Sequence, residues 1–342
     1  MKITKLFFTG ALVLAITGLT LTSCQKDELN EGTNDYKSLA TLSSDEMEVE
    51  SVTNESIQDV EGIMSYGHDN GNGGNGGNGN GNGGGGNGGS GNGGNGDTTF
   101  LSMRHFPCNA TIDTSAVIND TITITITYDG LSCNGRRQVK GQIQIRMQAG
   151  TDFSLPGASI NIRYINLAVT HGQHNRTMTY NGSQTFTNVS GGYISMLGID
   201  GFNMLVHRVT GTMNVTFDNG NTRTWNTARQ RTYTGTAGSL ILTVDGFGSA
   251  DGYDNLVTWG INRNGEQFYT QITQSIVFRE TCDWNPVSGI KVHQIPAVDK
   301  SATITYGYNS NYELITGDEC PTYYRIDWVN GTYTGTEYVA LP

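Results

Sequence analysis

Between Thr121 and Tyr128 the chain reads Thr-Ile-Thr-Ile-Thr-Ile-Thr-Tyr. An alternation this strict permits little but a β-strand with one apolar and one polar face. The same two-residue period returns at Gln142–Met147, Ser159–Val169, Thr212–Phe217, Ser239–Val244, Gln267–Phe278 and Tyr323–Val329. Asn-Gly pairs beginning at Asn134, Asn181, Asn219, Asn264 and Asn330 punctuate these runs. Such pairs tolerate the positive φ angles of a tight turn, so they predict hairpins in sequence order. No stretch beyond Asp97 holds a helical period for three turns. The expectation over residues 97–342 is an all-β, mostly antiparallel hairpin meander, built as an extended sheet or a sandwich. That length is enough to bury a substantial core.

Upstream the texture changes. From Gly67 to Gly96 the chain is almost wholly Gly and Asn. No side chain there can bury apolar surface, so the run reads as a linker, with a coil span of about 30 Å. A calcium-binding glycine repeat would need regularly placed Asp, and none lies between Asp69 and Asp97. Residues 24–66 are acidic, with Asp45, Glu46, Glu48, Glu50, Glu55, Asp59 and Glu61 close together. Two readings are open for this segment. Ser43 and Glu46 have the spacing of a capping box, which would start a short acidic helix around 44–62. The alternative is a disordered, solvated tether.

The first 23 residues have the build of an export signal: Lys2 and Lys5, an apolar stretch from Leu6 to Leu21, then small residues. The stretch is too short and interrupted for a spanning helix, which needs about 20 apolar residues. Leu21-Thr22-Ser23-Cys24 resembles the bacterial lipobox. That resemblance implies acylation of Cys24 and anchoring in a membrane by buried acyl chains. The following Lys26-Asp27-Glu28 is similar to the lipoprotein export signal of Bacteroidota, which implies the outer face of the outer membrane. A formal net charge of -11 argues against nucleic acid as a partner, since phosphates would be repelled.

Four cysteines follow Cys24: Cys108, Cys133, Cys282 and Cys320. An even number in an exported chain points to two disulfides, for which three connectivities exist. Nearness in sequence favours 108–133 and 282–320. No pair has the two- to four-residue spacing of zinc ligands.

Asn221–Asn226, Asp251–Ile261, Arg263–Phe268, Cys282–Gly289 and Ala302–Gly307 followed by Cys320 form an ordered set of segments. Together they resemble a family of Bacteroidota surface lipoproteins of unknown function. The likeness covers about the C-terminal two thirds of the folded region and departs at Asn309–Glu319, where the family has a tighter turn. It implies an extended β architecture and a 282–320 pairing, and it implies no chemistry.

A few groups of residues are candidates for a site. Asp245, Asp251 and Asp254 put three carboxylates in one Gly-rich loop, a composition compatible with a calcium ion or with plain turn chemistry. His171 and His174 have no third ligand nearby in sequence and read as a hairpin tip. Arg136, Arg137, Lys140 and Arg146 form a basic run, suited to acidic glycans or lipid head groups, or simply an exposed strand face. Trp225, Trp259, Trp284 and Trp328, with Tyr306, Tyr308, Tyr312, Tyr323 and Tyr324, would suit stacking on sugar rings or cross-strand packing. No nucleophile motif or catalytic carboxylate pair stands out, and no cofactor is implied. The expectation is a membrane-anchored surface protein whose β domain binds a glycan or another surface protein. The alternative is an extracellular hydrolase or an accessory component of polysaccharide uptake.

Overall fold

The structure is a computed structural model. It describes residues 45–64 apart from 47, 58 and 62, and residues 110–341 apart from 116, 133–136 and 172–175. The expected signal, Cys24, Lys26, Asp27, Glu28, Cys108, Cys133, Arg136, His174 and the side chain of His171 lie outside the described residues.

Fifteen strands form one antiparallel sheet, as the alternating runs predict. In chain order they are β1 (Ala110–Thr114), β2 (Thr121–Leu131), β3 (Arg137–Gln148), β4 (Ser159–His171) and β5 (Arg176–Asn188). Next come β6 (Met204–Phe217), β7 (Thr222–Thr234), β8 (Ile241–Gly246), β9 (Gly248–Ala250) and β10 (Tyr253–Ile261). The last five are β11 (Gln267–Arg279), β12 (Pro286–Ile295), β13 (Lys300–Tyr308), β14 (Tyr323–Asn330) and β15 (Tyr333–Ala340). Neighbours in sequence are neighbours in space except at one place. There β7 pairs with β10 through Thr224–Thr227 and with β8 through Arg229–Thr234. β11 meets both on its other side, so β8 and β10 share one row of the sheet end to end.

Three of the Asn-Gly pairs turn the chain as expected, with Gly220, Gly265 and Gly331 at φ of 82°, 83° and 56°. Asn181-Gly182 does not. It sits inside β5, opposite Asn214 and Met213 of β6. Asn181 Oδ1 accepts the Asn166 N–H at 2.9 Å where the β4–β5 register slips. Gly182 has φ 144°, and a Cβ there would lie 2.4 Å from the Thr212 carbonyl oxygen. Close backbone approach, not a hairpin, is what requires this glycine.

The second element type is a helix, α1, over residues 45–64. Of the two sequence readings of the acidic segment, the described residues adopt the helical one. The helix's described residues are all buried or half-buried. Val49, Val52, Ile57 and Val60 join one core cluster with Ile143, Tyr164, Phe186, Val215 and Trp225. A second cluster, with Leu205, Leu242, Val257, Ile276, Ile304 and Ile326, fills the region from β6 to β14.

The helix also reveals the sheet's shape. Glu55 reaches Arg137 on β3 and Glu50 reaches Lys291 on β12. These two strands are third and tenth in sheet order, so in a flat sheet they would lie roughly 34 Å apart. Five helical residues advance only about 7.5 Å, and a helix is about 10–12 Å wide. The sheet must therefore curl around α1. In sequence, the Gly/Asn-rich run at 67–96 lies between these two parts and outside the described residues.

Candidate functional site: a charged interior filled by an acidic helix

The feature of the molecule richest in chemistry is the contact between α1 and the inner face of the sheet. Along β7, residues 223, 225, 227, 229, 231 and 233 point inward and all are buried. They are Arg, Trp, Thr, Arg, Arg and Tyr, an inward face bearing three guanidinium groups. β12 does the same on the far side: Lys291 and His293 are buried, while Ile290 and Val292 are only partly so. Such a surface would be unstable against an apolar neighbour, because buried charges need partners.

The helix supplies them. Glu46 and Glu50, one turn apart, share a stripe of α1 with Asn54. Glu46 pairs with Arg223 and accepts a hydrogen bond from the Thr258 hydroxyl at 2.5 Å. Glu50 accepts from Lys291 Nζ at 2.7 Å and faces Arg229 Nη2 at 3.5 Å. Asn54 Oδ1 accepts from Arg229 at 2.6 Å and from Arg231 at 3.3 Å. Farther along, Glu61 meets His207 Nδ1 and the Tyr233 hydroxyl, each at 2.9 Å, and Arg231 at 3.6 Å. Matching Glu46 to Arg223 and Glu61 to Tyr233, the helix runs along β7 in the same direction.

Other strands close the ring. Asp45 at the start of α1 sits between Arg176 of β5, at 3.1 Å, and Arg263 in the β10–β11 turn. On β3, Arg137 donates to Glu55 at 2.6 Å and to Ser51 at 3.0 Å. The Tyr128 hydroxyl of β2 donates to Asp59 at 2.9 Å. Inside the helix, the buried Thr53 and Ser56 hydroxyls donate back to the Val49 and Val52 carbonyls at 2.7 and 2.8 Å. Several cations also rest on aromatic rings: Arg223 lies 4.3 Å from the Phe268 centroid and Arg263 4.0 Å from that of Phe217.

Burial and pairing pull the carboxyl groups in opposite directions. Burial works against a charged Glu46, yet Arg223 foremost, with His293 and Lys291, holds it down at about 2. Glu50 and Glu61 are likewise lowered against burial, by Lys291 and Arg229 in one case and by Arg231 and His207 in the other. Asp59 goes the other way. Burial raises it to about 7, offset in part by the Tyr128 hydrogen bond and reinforced by nearby Glu55. Burial beside Arg223 and Lys291 lowers His293 to about 4, which keeps the imidazole neutral, with Nδ1 2.9 Å from the Thr270 hydroxyl.

The residues singled out from sequence are placed elsewhere. Asp245, Asp251 and Asp254 do not converge; each meets a different hydroxyl, those of Ser275, Tyr269 (2.5 Å) and Ser249 (2.8 Å) respectively. Among the described residues, no group of three or more His, Cys, Asp and Glu is placed to hold a metal ion. Cys282 and Cys320 form a disulfide with Cα atoms 5.4 Å apart. His171 ends β4 and pairs with Arg176 at the start of β5. The basic run splits: Arg137 turns inward to Glu55, Lys140 pairs with Asp129 at 3.6 Å on the surface, and Arg146 borders a shallow depression with Asp120, Met147 and Gln148.

The aromatic candidates do not make one sugar-stacking strip. Trp225 is fully buried, and Trp284 and Trp328 pack against the second core cluster. Tyr306 and Tyr324 belong to that core, while Tyr312 packs on Tyr323 and Tyr338 with ring centroids 5.0 and 4.5 Å apart. The signal that the sequence carries and that was overlooked is the two-residue spacing of Arg223, Trp225, Thr227, Arg229, Arg231 and Tyr233. It puts arginines on the same strand face as large aromatics, where solvent is excluded.

No protein-family model matches the chain, and comparisons with curated proteins and with solved structures give no significant match.

Proposed function

We propose that this protein is a lipid-anchored component of the cell surface. Its curled sheet acts as a non-enzymatic binding or scaffolding module, joined to the anchor through α1. The observation that carries this reading is the place of α1 in both sequence and fold. Its first described residue lies about twenty positions after Cys24, the lipobox cysteine, and its carboxylates are ion-paired inside the sheet. A load applied at an acylated Cys24 would pass into that buried helix. The Lys26-Asp27-Glu28 sequence supports an address on the outer face of the outer membrane. The partner is a glycan or a neighbouring surface protein.

The test has two arms. Palmitate labelling and membrane fractionation should find the protein in the outer membrane, with sensitivity to protease on whole cells, and Cys24→Ser should abolish the label. The chain from residue 25 should then be screened for glycan binding and for hydrolysis. Turnover abolished by one carboxylate substitution would replace this reading with that of an extracellular hydrolase.

A further inference from the structure

We infer that the inner face of the sheet is a receptor for an acidic helix, and that α1 of a second copy of this chain occupies it by exchange. Selectivity for that occupant follows from the chemistry of the groove. Arg223, Arg229, Arg231 and Lys291 are all at most 2% exposed. They meet carboxylates or amides on α1, at Glu46, Glu50, Asn54 and Glu61. A helix without those groups at those positions would leave buried cations unpaired, which costs several kcal/mol per ion. The fitting pattern is present in every copy of this chain.

The two halves of the contact are also segregated in sequence. Every group from the helical side lies in residues 45–64, and the sheet residues that hydrogen-bond or ion-pair with them lie between Tyr128 and Lys291. The covalent connection between them is residues 65–109, whose contour length is roughly 150 Å. Replacing one copy's α1 by another's therefore preserves each ion pair and requires no change in the sheet, the condition for low-cost swapping. A segment tethered to its own site competes at an effective concentration of the order of mM. Exchange accordingly belongs to crowded conditions. Anchoring at Cys24 would supply those, and to that extent the inference rests on the proposed function; the test below does not need the lipid.

Two versions of the chain from residue 25 are prepared with different N-terminal tags and sheets distinguishable by isotope mass, each with a protease site within residues 67–96. They are refolded together at about 1 mM, comparable to the tethered concentration. After cleavage, the fraction with the size of one helix and one sheet is captured on the first tag. With the two versions in equal amounts, own-chain and exchanged pairing compete about evenly and half of the exchanged partners are the second version, so exchange predicts that the second version's sheet makes up about a quarter of the captured sheets. Samples refolded and cleaved separately before mixing should give none. Recovery of the first version's own sheet alone from the co-refolded sample would overturn the inference, whatever the outcome of lipid labelling.

Discussion

Lys291 Nζ lies 2.7 Å from Glu50 Oε2, although the two residues are 241 positions apart in the chain and belong to a strand and a helix. The contact explains an inversion on β12, where Lys291 and His293 face inward and Ile290 and Val292 do not. With the carboxylates of α1 in place, the inward face of that strand is a surface for charge.

The strength of this dependence should vary with burial. Glu46 and Arg223 are almost completely buried, so Glu46→Gln strands a cation and should cost about 3–5 kcal/mol in denaturant unfolding. Glu55 is nearly half exposed against Arg137, and Glu55→Gln should cost no more than about 1 kcal/mol. Equal losses would contradict the ranking.

Two groups give opposed pH dependences. Folded Asp59 titrates at about 7 against an ordinary 3.8, so between those values the folded chain holds a proton that the unfolded chain has released. Its contribution therefore makes stability fall as pH rises through that window, and Asp59→Asn should remove the fall. His293 titrates at about 4 when folded against 6.5 otherwise, so the unfolded chain takes up the proton first as pH drops. Stability should decline from about pH 6.5 towards 4, and His293→Gln should flatten that limb. Denaturant midpoints across pH 4–8 for the parent and both variants decide both points.

Alternation and turn chemistry made the sheet legible in sequence, down to three of its hairpins at Gly220, Gly265 and Gly331. The fate of Asn181-Gly182 was not legible, because the same pair serves a tight turn or a close approach between strands. The charged interior was hidden for a different reason. Arg223, Arg229 and Arg231 look like the solvated face of a strand until the carboxylates of α1 are seen opposite them. That contact joins segments more than 150 residues apart. Neither a strand's period nor a helix's capping box carries information about such a pairing.

Glycine requirements offer a test of the packing. At Gly182 a methyl group would meet the Thr212 oxygen at 2.4 Å, whereas at Gly157, with φ 82°, nothing lies within 4 Å. Gly157→Ala should cost about 1 kcal/mol from backbone conformation alone. Gly182→Ala should cost about 3 kcal/mol, since the β5–β6 ladder has to open. Thermal unfolding of the two variants side by side would show it.

The Cys282–Cys320 bridge closes a loop of 38 residues that includes β12 and β13. Replacing both cysteines with serine should lower stability by about 2–4 kcal/mol. A reductant should then shift the parent's midpoint further than that of the double variant, and equal shifts would assign the reductant's effect elsewhere.

The central claim is that α1 is an integral, buried part of this β-protein. Native-state hydrogen exchange on the amides of residues 49–57 tests it most directly. A helix enclosed by the sheet should show protection close to that of β7, lost together with it in the global unfolding transition. Exchange of those amides at the rate of an unstructured peptide, while β7 remains protected, would contradict the account.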